Sequence, residues 1–407
     1  MDTLDLSLYL HIPVCTEKCD YCDFYSVPYG TLGNTNNERD RFINKYIEAL
    51  LKETERQLQK FSAENSAPAI IPSIYIGGGT PSILGADGIA RLLGGLKSII
   101  GYSFNSISEI TVEANPETSN TAFLESCALH GATRLSLGVQ SFNEAVLKTA
   151  GRKGRPLADT GSISLHERLL EAAEIFGRGL SLDLISGLPG YNTDILKNDI
   201  NRVLSYEPGH ISLYALSVEE GTPIVQKKTA VPPEEAADSF WLAGRDALIQ
   251  AGYQQYEISN FAVSSECRCK HNIRYWQMKN WIGVGPAASG TLIKNNGNGI
   301  RITYTPDIEM FVSAFQNRTS VPFSAEELDK NVILRETLMM GYRFCEGPDP
   351  LLFVQRFGKK LEETIPETLA KWQNQAGNFS LQETLMTFLN SFLLDAFSEL
   401  DHNTFIS

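Results

Sequence analysis

Three cysteines crowd into one short stretch of the chain, Cys15, Cys19 and Cys22, spaced C-x3-C-x2-C. Thiolates are the natural ligands of iron–sulfur clusters, and a [4Fe–4S] unit usually takes four of them. Three thiolates leave one iron without a protein ligand, open to a small chelating molecule. Structural zinc is the competing reading. Zinc wants four ligands in C-x2-C pairs, and the only candidate second pair, Cys267 and Cys269, has a poor spacing. Lys18, Asp20 and Asp23 make the loop polar, which argues against three thiols that are merely buried. The chain has 7 cysteines, an odd number that suits a reducing compartment better than a disulfide framework.

A cluster loop needs a scaffold. β-rich runs at 6–12, 73–76, 109–113, 134–137, 180–185 and 210–216 alternate with helix-like segments at 41–58, 87–100, 121–129, 166–176 and 193–204. Such alternation means repeated βαβ units and a parallel sheet. The fold class expected is therefore α/β, a partial (β/α)6 barrel over residues 1–230. Nearly every strand runs into a polar or glycine-rich signature: the cysteine loop, GGGTP at 77–81, EANP at 113–116, GVQS at 138–141, and Asp183 with GLPG at 187–190. In a parallel barrel the strand C-termini share one face, where active sites are built. Residues 231–304 read as an extension of that core: a helix at 233–251, a β-like run at 254–259, then a loop carrying Cys267, Cys269 and His271. Asn295 to Gly299 reads as a hairpin tip. Residues 305–407 read as a small, mostly helical C-terminal domain, with helices expected at 326–343, 350–360 and 381–397.

The bulk numbers narrow the function classes. In 407 residues, 43% are apolar and 20% charged, the composition of an ordinary globular protein. A net charge of -13 argues against nucleic acid as a partner and against simple docking on anionic lipid. No signal-like start and no apolar run of about 18 residues is present, so a cytoplasmic location is expected.

The C-x3-C-x2-C spacing is the signature of radical S-adenosylmethionine (SAM) proteins. The flanking YLHIP at 9–13 resembles their HemN-like group, as do IGGGTP at 76–81, EITVEANP at 109–116, LSLGVQSFN at 135–143 and LDLISGLP at 182–189. The resemblance implies a [4Fe–4S] cluster on Cys15, Cys19 and Cys22, with SAM chelating the open iron. Cleavage of the sulfonium C–S bond then gives methionine and a 5′-deoxyadenosyl radical. By position it implies Tyr9 and Tyr21 near the adenosyl group, and Gly78, Gly79 and Thr80 approaching SAM through the backbone. It implies Glu113 at a polar end of SAM, and Gln140, Arg152 and Asp183 at its ribose or carboxylate. Read as residues alone, Arg152 has the alternative of a surface cation and Asp183 that of a loop cap.

Two departures favour the haem-chaperone branch of the group, the HemW family, over its coproporphyrinogen dehydrogenases. Phe24 stands where the dehydrogenases carry a further cysteine, and only a short segment precedes Cys15. HNIRYW at 271–276 also matches the HNxxYW motif associated with haem in that branch. The resemblance implies a third cofactor, haem, with His271 as axial ligand and Tyr275 and Trp276 flanking the macrocycle. It implies acceptor haemoproteins as partners, membrane-bound respiratory cytochromes among them, and transient membrane association. Cys267 and Cys269 compete as haem ligands; a histidine held by loop hydrogen bonds beside two core aromatics is the structural reading of the same residues. The enzyme alternative is an oxygen-independent coproporphyrinogen III dehydrogenase that decarboxylates propionates through the radical.

Overall fold

The computed structural model describes residues 5–152, 164–375 and 388–402. Twelve strands form one sheet. Six are parallel neighbours in chain order: β1 (Ser7–Ile12), β2 (Ser73–Gly78), β3 (Glu109–Ala114), β4 (Arg134–Gln140), β5 (Leu180–Ser186) and β6 (His210–Ala215). Helices α1 (Asn36–Asn65), α2 (Gly85–Ile100), α3 (Thr121–Leu129), α4 (Leu165–Phe176) and α5 (Thr193–Leu204) connect them, as the alternation predicts. Beyond β6 come α6 (Glu234–Gln250), β7 (Gln254–Gln255), β8 (Asn260–Ala262) and α7 (Lys270–Trp276). Strand β9 (Trp281–Val284) then returns across the molecule to pair in parallel with β1. The hairpin strands β10 (Ser289–Ile293) and β11 (Gly299–Tyr304) follow in antiparallel order, and the Asn295–Gly299 turn is their tip, as expected.

Each parallel strand alternates with period two, and the alternation is the reverse of a filled barrel. Leu8, Leu10, Ile74, Ile76, Val112, Leu135, Leu182 and Leu213 face the helices and are fully buried. Packing them there stabilises the barrel by about 1.5–3 kcal/mol each. The opposite face lines the interior with polar side chains: Ser7, Tyr9 and His11 on β1, Ser73 and Tyr75 on β2, Glu109 and Glu113 on β3. Arg134 and Ser136 on β4, Ser181 and Asp183 on β5, and His210 and Ser212 on β6 complete it. The polar groups there bond mainly to one another, because a buried group left unpaired costs about 1–3 kcal/mol.

Three expectations need correction. Residues 326–328 are not helical: β12 (Phe323–Leu328) pairs antiparallel with β11 along its whole length, and Asp329 caps α9 (Lys330–Gly341) through Val332 N. Glu326 and Glu327 have helix-forming character, but an open sheet edge beside them overrides it. Residues 305–321 belong to the barrel: Ile308, Phe311 and Val312 of α8 (Ile308–Gln316) pack into the first core. A second core forms around Ile333, Leu338, Phe353 and Phe392, on α9, α10 (Pro350–Phe357), α11 (Pro366–Gln375) and α12 (Leu389–His402). The first part of the helix expected at 381–397 lies outside the described residues; α12 covers the rest. His271 lies on helix α7, not in a loop.

Candidate functional site

The cysteine loop leaves the C-terminal end of β1 and is knitted into the rim on every side. Gly79 N donates to Ile12 O (2.9 Å) and Thr80 N to Val14 O (2.8 Å). Asp20 N donates to Ala150 O (3.1 Å), Ile224 N donates to Asp20 O (2.8 Å), and Lys227 Nζ reaches the Asp20 carboxylate (2.8 Å). Three different rim segments therefore hold the loop in shape. All three thiols are free and half-buried; Cys22 feels the charge of both Cys15 and Cys19, and Cys19 that of Cys15. Burial pushes the Cys19 and Cys22 thiols up, Cys22 to about 11; for Cys19 the Arg152 guanidinium opposes it. Iron binding thus releases protons here.

Around the thiols sit most of the predicted SAM residues. Thr80 Oγ1 donates to Cys15 Sγ (3.4 Å) and accepts from Asn115 Nδ2 (3.1 Å). Arg152 is buried; it bonds Gly138 O (2.7 Å), pairs with Glu117 (3.1 Å) and adjoins Tyr21. It is not a surface cation. Gly78 has φ +112°, and a Cβ there would sit 2.4 Å from the His11 ring; at Gly79 it would lie 2.8 Å from backbone atoms of Ile12 and Val14. Glycine is required because the loop lies directly against β1. Gln140 carries a non-glycine φ of +66°, and its Oε1 is buried without a partner. Strain and an orphaned acceptor at one rim residue mark a place completed by a ligand. Three thiols in a preshaped loop, a glycine cradle and this amide fit a cluster carrying SAM, which supplies electron transfer to the sulfonium when bound.

Glu113, Asp183 and Tyr9 sit deeper. Glu113 accepts from Tyr75 Oη (2.6 Å) and from Gly78 N (3.0 Å); burial raises it to about 6, countered by those two donors. Tyr9 Oη bonds His11 Nδ1 (2.8 Å), and Asp183 accepts from Ser136 (2.9 Å) and Ser181 (3.3 Å). Asp183 is an interior acceptor, not a loop cap. The spacing gave no sign of Tyr75, Glu117 or the Asp20–Lys227 pair; period-two alternation within β2 would have exposed Tyr75 as interior.

The haem-motif helix α7 closes the other end, at the strand N-termini. Glu109 accepts from Lys270 N (2.8 Å) and His271 N (2.9 Å). His271 is fully buried, with Nδ1 bonded to Ser73 Oγ (2.9 Å) and Nε2 to Tyr275 Oη (2.8 Å). A second triple stands beside it: His210 bonds Ser181 Oγ through Nδ1 and Tyr256 Oη through Nε2, each at 2.8 Å. Network polarity assigns opposite tautomers to the two. Arg274 Nε, an obligate donor, bonds Ser7 Oγ, which leaves Ser7 to donate to Ser73 and Ser73 to His271 Nδ1. His271 Nε2 then carries the proton toward Tyr275. For His210, Cys269 N donates to Tyr256 Oη (3.0 Å), and the chain runs on through Ser181 to Asp183. Burial pulls His271 down to about 3, so it stays neutral. Cys269 is buried and donates to Glu109 (3.5 Å), while Cys267 accepts from Ser264 (3.6 Å).

A cavity of about 1420 Å³ opens beside the barrel, between β6, α6, α7 and the start of α12. Asn272, Tyr275 and Trp276 of the motif line it; His271, Cys267 and Cys269 do not. Tyr214 keeps 41% of its surface exposed, and that surface is cavity wall.

A model of the Radical SAM superfamily matches residues 9–203. Heme chaperone HemW of Buchnera aphidicola (subsp. Acyrthosiphon pisum) is 35% identical over 308 residues, 76% of this chain and 76% of the relative. The chain belongs to the HemW family of radical SAM proteins. Within that family, HemW of Escherichia coli K12 is 32% identical over 74% of each chain. A Danio rerio relative named radical S-adenosyl methionine domain-containing protein 1, mitochondrial, is 30% identical over 84% of this chain and 74% of its own. The chain shares its fold with coproporphyrinogen III oxidase (HemN) of Escherichia coli, at a TM-score of 0.74 and 19% identity, covering 96% and 90% of the two. The [4Fe–4S] cluster and SAM are the cofactors that radical SAM membership implies. Phe24 is 61% exposed beside the cluster loop. Among the described residues no helix is long and apolar enough to cross a membrane.

Proposed function

We propose that this chain is a haem chaperone. It holds a [4Fe–4S] cluster on Cys15, Cys19 and Cys22, binds SAM on the rim, takes up haem and passes it to an acceptor haemoprotein. The observation that carries this reading is the large cavity walled by Tyr275 and Trp276, two residues of the motif that resembles the haem site of the HemW branch. The SAM roles of Tyr9, Tyr21, Gly78, Gly79, Thr80, Glu113, Gln140, Arg152 and Asp183 belong to the same proposal. So do a cytoplasmic location and membrane-bound respiratory cytochromes as acceptors.

Iron ligation by His271 requires a rearrangement. Nε2 faces the Tyr275 hydroxyl, so Tyr275 has to leave and the Nε2 proton has to move before the lone pair reaches an iron. Haem titration of the chain tests this. His271→Ala is expected to abolish the Soret shift, and Tyr275→Phe to strengthen binding by removing the competing partner. Unchanged haem affinity in His271→Ala removes His271 from the ligand role. Haem transfer from the loaded chain to an apo-cytochrome tests the chaperone reading itself; no transfer refutes it. The HemN-like fold favours coproporphyrinogen III dehydrogenation as the second reading. Anaerobic incubation of the cluster-loaded chain with SAM, reductant and coproporphyrinogen III tests that reading, and protoporphyrinogen formation would establish it.

A further inference from the structure

The cavity beside the barrel has a composition unlike the rest of the surface. One face of α6 turns into it, with Asp238, Trp241, Leu242, Arg245 and Ile249 at successive helical spacings. Leu242 and Ile249 remain 42% and 44% exposed, and Phe388 at the foot of α12 is 55% exposed. Large apolar side chains gathered round one concavity, rather than scattered, mark a binding surface.

Two cations stand within this apolar wall. Arg245 comes from α6, and Arg343 from the turn after α9, its guanidinium 5.7 Å from the centre of the Trp276 ring. Among the described residues neither forms an ion pair, and Arg245 Nε is buried with no hydrogen-bond partner; Trp276 Nε1 is unpartnered too. Asp238 and Glu257 also face the cavity. Neither forms a salt bridge with Arg245 or Arg343: Glu257 accepts from Ser259 N (3.3 Å), and the Arg343 charge acts on it only from beyond contact distance. An aromatic-walled space with two guanidiniums outside any salt bridge among the described residues is complementary to a broad apolar ring bearing carboxylates, because arginine pairs bidentately with such groups.

We propose that Arg245 and Arg343 are the carboxylate-binding residues of this cavity, and that its ligand is a planar tetrapyrrole recognised by its ring and its propionates, independently of any metal at its centre. This rests on the haem reading but not on His271 as ligand.

The test uses the full chain and three probes: haem, metal-free protoporphyrin IX and its dimethyl ester. Arg245→Gln and Arg343→Gln are each expected to weaken haem and metal-free protoporphyrin by about 10-fold, and the double variant by about 100-fold, the scale of one charge-assisted hydrogen bond per step. The dimethyl ester should bind wild type and variants alike, which also reports that the variants are folded. Equal losses for acid and ester, or no loss for either, would overturn the assignment. Binding of haem without binding of the metal-free acid would overturn it while leaving the chaperone reading intact. A wild-type chain that binds none of the three defeats both.

Discussion

The two ends of the barrel carry the same kinds of side chain and use them differently. At the floor, Glu109, His210 and His271 are absorbed into closed networks with Ser73, Ser181, Tyr256 and Tyr275. At the rim, three thiols gather in one loop with only weak side-chain contacts such as Thr80 to Cys15, and the Gln140 oxygen is buried without a partner on left-handed backbone. Availability, more than residue type, separates a site from a structural polar core. His210, outside any cofactor motif, has the same Ser–His–Tyr surroundings as His271, so those surroundings alone do not make His271 a ligand.

The largest test of this contrast is replacement of Cys15, Cys19 or Cys22 by serine. Iron content per chain should fall to near zero, with thermal stability of the metal-free chain changed by less than about 1 kcal/mol, since other bonds shape the loop. The floor should respond in the opposite sense. Glu109→Ala strands the Lys270 and His271 N–H groups and removes one of the carboxylates facing Arg134; denaturant unfolding should show a loss of about 3–5 kcal/mol, with iron loading of the folded protein intact. If iron loading fell with it, the two ends would not be independent.

A third test concerns pH. Burial raises Glu257 to about 8, against its donors Ser259 and Ile258. Between pH 4.5 and 8 the folded chain therefore keeps a proton that the unfolded chain has released. Stability from this group is present below the unfolded value and is lost as pH rises, at up to about 1.4 kcal/mol per unit. Glu257→Gln should flatten the slope of stability against pH in that window; an unchanged slope would show that Glu257 is ionised when folded. The smallest effect is expected at Gln140→Gly, where relief of the positive φ is offset by the freer unfolded chain to within about 1 kcal/mol, yet SAM should bind about tenfold more weakly. Calorimetry of SAM binding checks it, and unaltered affinity would make the strain purely structural.

The rim was legible because its chemistry is local. Cys15 to Cys22 lie within a single loop, and the glycines of 77–79 announce a close approach wherever they stand. The six parallel strands were legible for the same reason: each is a short run bounded by turn residues. The floor was not, because its partners meet only through the fold, as when Ser73 reaches His271 and Glu109 reaches the start of α7. Strand β12 was hidden by two glutamates that read as a helix start, and only the neighbouring edge of β11 decides otherwise. Asp183 shows the remaining gap: its position at a strand end suggested the rim, while the pleat turns it into the interior among serines.

Arg274 bonds Ser7 across 267 residues of sequence, and β9 pairs with β1 at a similar separation. On a ribosome adding roughly 5–20 residues per second, the first strand waits on the order of 15–50 s for the segment that seals its open side. During that interval β1 already leads into the cysteine loop while one of its flanks is uncovered. The chain's birth thus includes a window in which one edge of the cluster strand is unpaired.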